Sequence, residues 1–313
     1  MLLSVMIEGQ EDVTWPHWTA LADAAERLGY TGLFRSDHYL SVAGRGERGS
    51  LDAWGTICGL AAVTRRIRLG TIVSPASFRH PSVLAKLVVT ADHISRGRAE
   101  LGLGAGWLES EHLRYGFPFL PARERFDVLE EQLEIVTRTW AGEPFSFSGA
   151  HYAIEQLAAR FTPLQDPRPL LRIGGRGRPR GMALAARWAD EYNTVHASPA
   201  DCRAIRAALD DACVEAGRDP ATLPLSLMTG FVVGRDRGEL LARAEQVLVA
   251  SGREGDDAEA ALAELSETWL VGTPDEIAAR LDDYRDAGVV HTMLQHHLFE
   301  DDAALELIAA RLL

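Results

Sequence analysis

Residues 67–104, IRLGTIVSPASFRHPSVLAKLVVTADHISRGRAELGLG, contain one complete repeat of the fold. Ile67–Val73 is a short β-rich run, and it breaks at Ser74 and Pro75. His80–Gly97 follows with helical spacing, and Arg98–Gly104 is β-rich again. A strand, a helix and a second strand in that order form a βαβ unit, which is right-handed when the strands are parallel.

Working outward from this unit, the same alternation covers the chain. Before it come LLSVMIE, the helical run 15–29, YTGLFR and the helical run 52–66. After it come the helix 121–142, PLLRIGG, the helix 180–189, DEYNTVHA, a helix over 201–217 and LPLSLMTGFVVG. The helical run 238–251, ETWLVG, the helix 274–288, VVHTMLQHH and a terminal helix over 301–313 complete it. The strand runs are nearly continuously apolar, as expected when both faces are covered. About eight such units in 313 residues favour an α/β fold of the closed (β/α)8 TIM-barrel type over an open sheet. On this reading ETWLVG is an accessory segment. Residues 1–313 form a single domain, with an insertion on the C-terminal rim around 107–160 that includes the hairpin-like EPFSFSGAHYAI.

The formal net charge is −13 and no basic run stands out, which argues against nucleic acid or an anionic membrane surface as a partner. Lys86 is the only lysine and falls mid-helix, so Schiff-base chemistry has a single poor candidate. No GxxxxGK[ST] phosphate loop is present. Cys58, Cys202 and Cys213 show no metal-ligand spacing and read as buried, reduced thiols. With no apolar run of membrane-spanning length and no signal-like start, a cytoplasmic protein is expected.

Barrel active sites form at the C-terminal ends of the strands. That rule gathers Ser36, Asp37 and His38 after the second strand, Ser74 after the third, and Gly104–Glu111 after the fourth. Gly174–Gly177 follow the fifth strand, Asn193 and His196 end the sixth, and His296 and His297 end the eighth. Glycines between a strand and a helix let backbone N–H groups face an anion, and Arg176 and Arg178 add positive charge there.

Three stretches, GLFRSDHYL (32–40), residues 66–116 and RIGGRGRPRGMALAARWADEYN (172–193), together resemble the luciferase-like flavin and deazaflavin monooxygenase superfamily. They most resemble its branch of oxidoreductases that use the deazaflavin coenzyme F-420. The resemblance implies a barrel with a flavin-type ring in its mouth, Asp37 and His38 beside the ring, and a non-proline cis peptide at Ile72–Val73 behind it. It also implies that Ser74, Gly104, Ala105 and Gly106 line the ring, and that Gly174, Gly175, Arg176 and Gly177 take the cofactor phosphate with Asn193 nearby. A homodimer is in keeping with the family, and the apolar faces of the second and third helices are its candidate surface. In the sugar-phosphate dehydrogenases of this branch an acidic glutamate directly follows the strand-four glycines; here that position is Trp107, and the nearest carboxylates are Glu109 and Glu111. A sugar-phosphate substrate is therefore not expected.

His38 is the expected proton donor or acceptor, because imidazole titrates near neutral pH. Asp37 is expected to orient it or to bond the cofactor, and Glu111 is the second candidate acid. The leading expectation is hydride transfer between coenzyme F-420 and a small organic substrate. Against it stand an FMN-dependent monooxygenase fed by a separate reductase, and a barrel that binds a ligand without chemistry.

Overall fold

The computed structural model describes residues 1–43 and 47–313. Its strands are β1 (Leu2–Ile7), β2 (Gly32–Arg35), β3 (Arg68–Thr71), β4 (Ser74–Pro75), β5 (Ala99–Gly104) and the hairpin pair β6 (Phe145–Ser148) and β7 (Ala153–Leu157). Then come β8 (Leu171–Gly174), β9 (Glu191–Val195), β10 (Leu225–Val233), β11 (Leu270–Gly272) and β12 (Val289–Gln295). β1, β2, β3, β5, β8, β9, β10 and β12 form a closed ring of parallel strands, sealed where β9 pairs with β10. β11 pairs only with Phe231–Val233 at the C-terminal end of β10, as expected of an accessory strand.

The unit quoted above shows how local chemistry sets the elements. Pro81 opens the helix α3 (Pro81–Ser95), where its missing N–H costs nothing. His80 accepts from the Ser82 N–H, and Arg96 in the left-handed region (φ 60°) ends the helix. Leu84, Ala85, Val88, Val89 and Ala91 face the core. Between β3 and β4 the Ile72–Val73 bond is cis. The long helix over Ala122–Ala141 buries Val128, Leu129, Leu133 and Val136 and packs between α3 and the helix Pro179–Trp188. It thus belongs to the outer ring of the barrel. The rim insertion expected over 107–160 is confined to the segments flanking this helix, because a helix with so broad a buried stripe needs the sheet beneath it.

Two layers fill the barrel. Near the N-terminal end, Arg172 bonds Glu191 and Glu100 (the latter at 3.0 Å) and lies 5.2 Å above the Phe34 ring. Arg68 bonds the same Glu100, and His291 joins Ser4 (2.8 Å) and Glu191 (3.6 Å). Burial alone would raise the pKa of Glu191, but the Arg172 charge and the hydrogen bonds from His291 and Arg172 hold it well below the usual carboxylate range. Buried charges persist only when paired in this way. Above them Met6, Phe34, Ile72, Met228 and Met293 form an apolar plug topped by Val73 and Val195. The interior is thus closed from below, and a ligand can enter only at the C-terminal rim.

Candidate active site

The rim brings together what the chain spreads over most of its length. Val73, turned inward beside the cis bond, is ringed by glycines. A Cβ on Gly102, Gly104 or Gly174 would fall 2.9, 2.8 or 3.0 Å from its methyl carbons. These glycines leave Val73 as a smooth floor to the mouth. Gly106 (φ 76°) turns the chain away from β5 towards Trp107 and the short helix Glu109–Tyr115.

That helix positions a carboxylate. His112 donates from Nδ1 to the Leu108 carbonyl (2.8 Å), which leaves Nε2 to accept from the Ser77 hydroxyl (2.6 Å). Tyr39 packs its ring on Tyr115 at 4.8 Å and on Phe78 at 5.0 Å. Held on both sides, Glu111 is fully buried and accepts from His38 Nδ1 (2.8 Å) and from the Tyr39 N–H (3.0 Å). Burial disfavours a charged His38 ring. The bond and charge of Glu111, with the charges of Glu8 and Asp37, outweigh it and raise the His38 pKa above its ordinary value. With Nδ1 committed, Nε2 is the atom left for a ligand. Trp107, 62% exposed, stands edge-on to the His38 ring at 5.6 Å.

Asp37 has a different task from the one expected of it as an orienter of His38. Its carboxylate is buried and accepts from Ser74 Oγ (2.6 Å) and from the Arg79 guanidinium, which also bonds Asp52 (2.6 Å). Trp54 Nε1 donates to Ser74 Oγ at 3.1 Å. Asp37 therefore ties the β2 and β4 ends together, and the carboxylate that orients His38 is Glu111. The Asp37 carboxylate is drawn towards Ser74 and Arg79, and His38 Nδ1 bonds Glu111 instead.

At the far side of the mouth, the Gly175 N–H bonds the Asn193 carbonyl (2.9 Å) and the Gly177 N–H bonds Tyr192 Oη (2.9 Å). Those two amides hold the loop in shape. The donors left for an anion come from the start of the Pro179–Trp188 helix, which has no side-chain cap, and from Arg176 and Arg178, which have no carboxylate partner among the described residues. The Asn193 side chain points into the barrel, where it donates to Ser226 Oγ at 2.9 Å, so only its backbone reaches the loop.

Sequence reasoning missed Arg79, Glu8, Gln10 and Gln295. Glu8 and Gln10 follow β1 at the same rim, so the strand-end rule that found His38 could have found them. Arg79 had no such signal. No helix of the described residues is long and apolar enough to cross a membrane.

Three comparisons bear on this geometry. The family model described as luciferase-like monooxygenase matches residues 4–291. An F-420-dependent hydroxymycolic acid dehydrogenase of Mycobacterium tuberculosis is 29% identical over 297 residues, covering 90% of this chain and 79% of the relative. An FMNH2-dependent dimethylsulfone monooxygenase of Pseudomonas putida is 27% identical over 296 residues, covering 86% of this chain and 79% of the relative. Among solved structures, an F-420-dependent secondary alcohol dehydrogenase superposes with a TM-score of 0.84 at 19% identity, covering 99% of this chain and 98% of its own; at that identity the likeness shows the fold.

Proposed function

The chain belongs to the luciferase-like monooxygenase family, and from that premise we propose that it transfers hydride between coenzyme F-420 and a small organic alcohol or carbonyl compound. The observation that carries this reading is the His38–Glu111 pair at the mouth, across the rim from an uncapped, arginine-flanked helix start. The residues present fit such a coenzyme. The Val73 floor offers a flat apolar face, and Arg176, Arg178 and the helix N-terminus suit a phosphate.

When bound, the deazaflavin supplies the hydride acceptor or donor. His38 moves the proton. In oxidation, as the substrate C–H bond breaks, Nε2 takes the proton of the substrate hydroxyl and the oxygen becomes a carbonyl. In reduction the imidazolium returns it to the carbonyl oxygen, and the raised pKa favours that protonated form. Glu111 keeps Nδ1 protonated throughout and compensates the positive ring. Trp107 flanks His38 edge-on. One of the aligned relatives keeps a second reading in view, since the FMN-dependent monooxygenase matches 86% of the chain against 90% for the F-420-dependent dehydrogenase. On that reading the same floor would hold reduced FMN delivered by a separate reductase, with O2 as the oxidant.

Fluorescence titration with each coenzyme separates the two. Binding of F-420, with a turnover loss of about 10²-fold or more in His38→Ala while coenzyme affinity largely survives, is the expected result. Tight FMN binding with no response to F-420 would overturn the assignment.

A further inference from the structure

Beside His38, the rim carries a polar chain that makes no hydrogen bond to the His38 ring. The Gly9 N–H donates to Ser36 Oγ (3.2 Å), and Ser36 Oγ donates to Gln10 Oε1 (2.6 Å). Gln10 Nε2 donates to Glu8 Oε2 (2.7 Å), and Gln295 Nε2 donates to Glu8 Oε1 (2.6 Å). The chain ends where Gln295 Oε1 meets His196 Nε2 at 2.7 Å.

Its polarity follows from one group. A carboxylate only accepts, so both carboxamides must turn their NH2 groups to Glu8. Gln295 therefore presents its oxygen to His196, and only an Nε2–H ring can donate to it. Nδ1 of His196 is then a bare acceptor. It has no hydrogen-bond partner among the described residues, and it is not among the enclosed polar atoms that lack one. Burial, together with the Arg176 charge and against the opposing pull of Gln295 and Glu8, lowers the His196 pKa, so the ring stays neutral.

The surroundings show that this ring is held in place. His196 sits in the left-handed region (φ 47°), a conformation that a non-glycine residue keeps only when its neighbours enforce it. Trp269 lies 5.9 Å from its ring and stacks on His297 at 4.7 Å with an interplanar angle of 12°. The indole rests on Gly230, where a Cβ would fall 2.3 Å from it. The accessory β11 thus begins one residue after a buried tryptophan that packs against both His196 and His297.

We propose that Glu8, acting through Gln295, locks His196 as its Nε2–H tautomer, so that the bare Nδ1 accepts a hydrogen bond from a second ligand hydroxyl, distinct from the one whose proton His38 takes, beside the Trp269–His297 pair. Glu8 and Gln295 are positioning residues; His196 is the group that touches substrate. The site then selects an uncharged ligand with a hydroxyl donor at that second position over one with a carbonyl there, because a carbonyl oxygen facing a bare Nδ1 leaves both lone pairs unmet. This inference rests on the proposed use of the mouth as a substrate site.

The test needs no turnover. Long-range ¹H–¹⁵N spectra of histidine-labelled protein, with His196 assigned by its loss in His196→Gln, report the tautomer directly. The expected result is Nε2–H in the native chain and a mixture of tautomers in Glu8→Gln, whose carboxamide no longer dictates how Gln295 faces. Titration with cyclohexanol is then expected to move the Nδ1 resonance, and cyclohexanone to leave it in place. An Nδ1–H ring in the native chain, an unchanged tautomer in Glu8→Gln, or equal responses to the two probes would overturn the proposal. Loss of F-420 binding with these spectra intact would count against the coenzyme assignment alone.

Discussion

Replacing Glu111 by glutamine keeps the side chain's shape and removes its charge. In the native site Glu111 is fully buried and receives two donors, His38 Nδ1–H at 2.8 Å and the Tyr39 N–H at 3.0 Å. A glutamine offers one acceptor and one donor. The Tyr39 N–H is a backbone donor that cannot turn, so the new carboxamide must aim its oxygen there and its NH2 at His38. Nδ1 then becomes the acceptor and Nε2 carries the hydrogen, the reverse of the native tautomer. A hydrogen bond to a charged group contributes about 1.5–3 kcal/mol, which corresponds to roughly tenfold to hundredfold in the balance between imidazolium and imidazole. The sign is fixed: loss of the negative charge disfavours imidazolium, and burial, now opposed only by the charges of Glu8 and Asp37, acts in the same direction. An NMR titration of His38 is expected to show a native pKa above that of free imidazole and a lower one in Glu111→Gln. Turnover is expected to fall about 10²-fold or more, since the proton-bearing face is inverted. A native His38 that titrates at or below the ordinary value, or a Glu111→Gln variant in which it does not drop, would refute the account of this pair.

Two further outcomes follow from the rim and the core. Arg176→Gln is expected to weaken F-420 binding about tenfold at low salt and by less at high salt, because an exposed cation facing a phosphate is screened; fluorescence titrations at two ionic strengths measure this. Burial pushes both His296 and His297 down to about 4, so the unfolded chain takes up protons that the folded chain refuses. Stability is therefore expected to be present in full above about pH 6.5 and to fall as pH drops from there towards 4. The pair differs in sign from His38, whose contribution is lost as pH rises through its raised value. Urea midpoints across that window should fall less steeply in His296→Phe, which keeps the stacking on Phe231.

The site was partly legible before any coordinates. Asp37, His38 and the glycine run 174–177 were found because a rule about strand ends needs only the order of elements. Glu111 was found as a carboxylate, but its partner was not, since the link to His38 spans 73 residues and depends on how a seven-residue helix is pinned by Ser77 and Tyr39. Of the two tasks expected of Asp37, orienting His38 or bonding the cofactor, the first falls to Glu111, and nothing local shows that Arg79 reaches back to Asp37 across the β2 and β4 ends. The glycines of the fourth and fifth strands were legible as a signal, though their immediate purpose, room for Val73, was not.

Local order in the chain determined that strands and helices alternate, that both strand faces are covered, and that the chemistry gathers at one rim. These are consequences of nearest-neighbour propensity and of a periodicity that any reader of the residues can count. Tertiary structure alone decided which ring nitrogen His38 turns to Glu111 and which His196 turns to Gln295. That property belongs to no single residue, because it is set by donors and acceptors brought together from β1, β9, β12 and the loop after β5. Hydrogen-bond polarity passes through space, and the chain records only the parts.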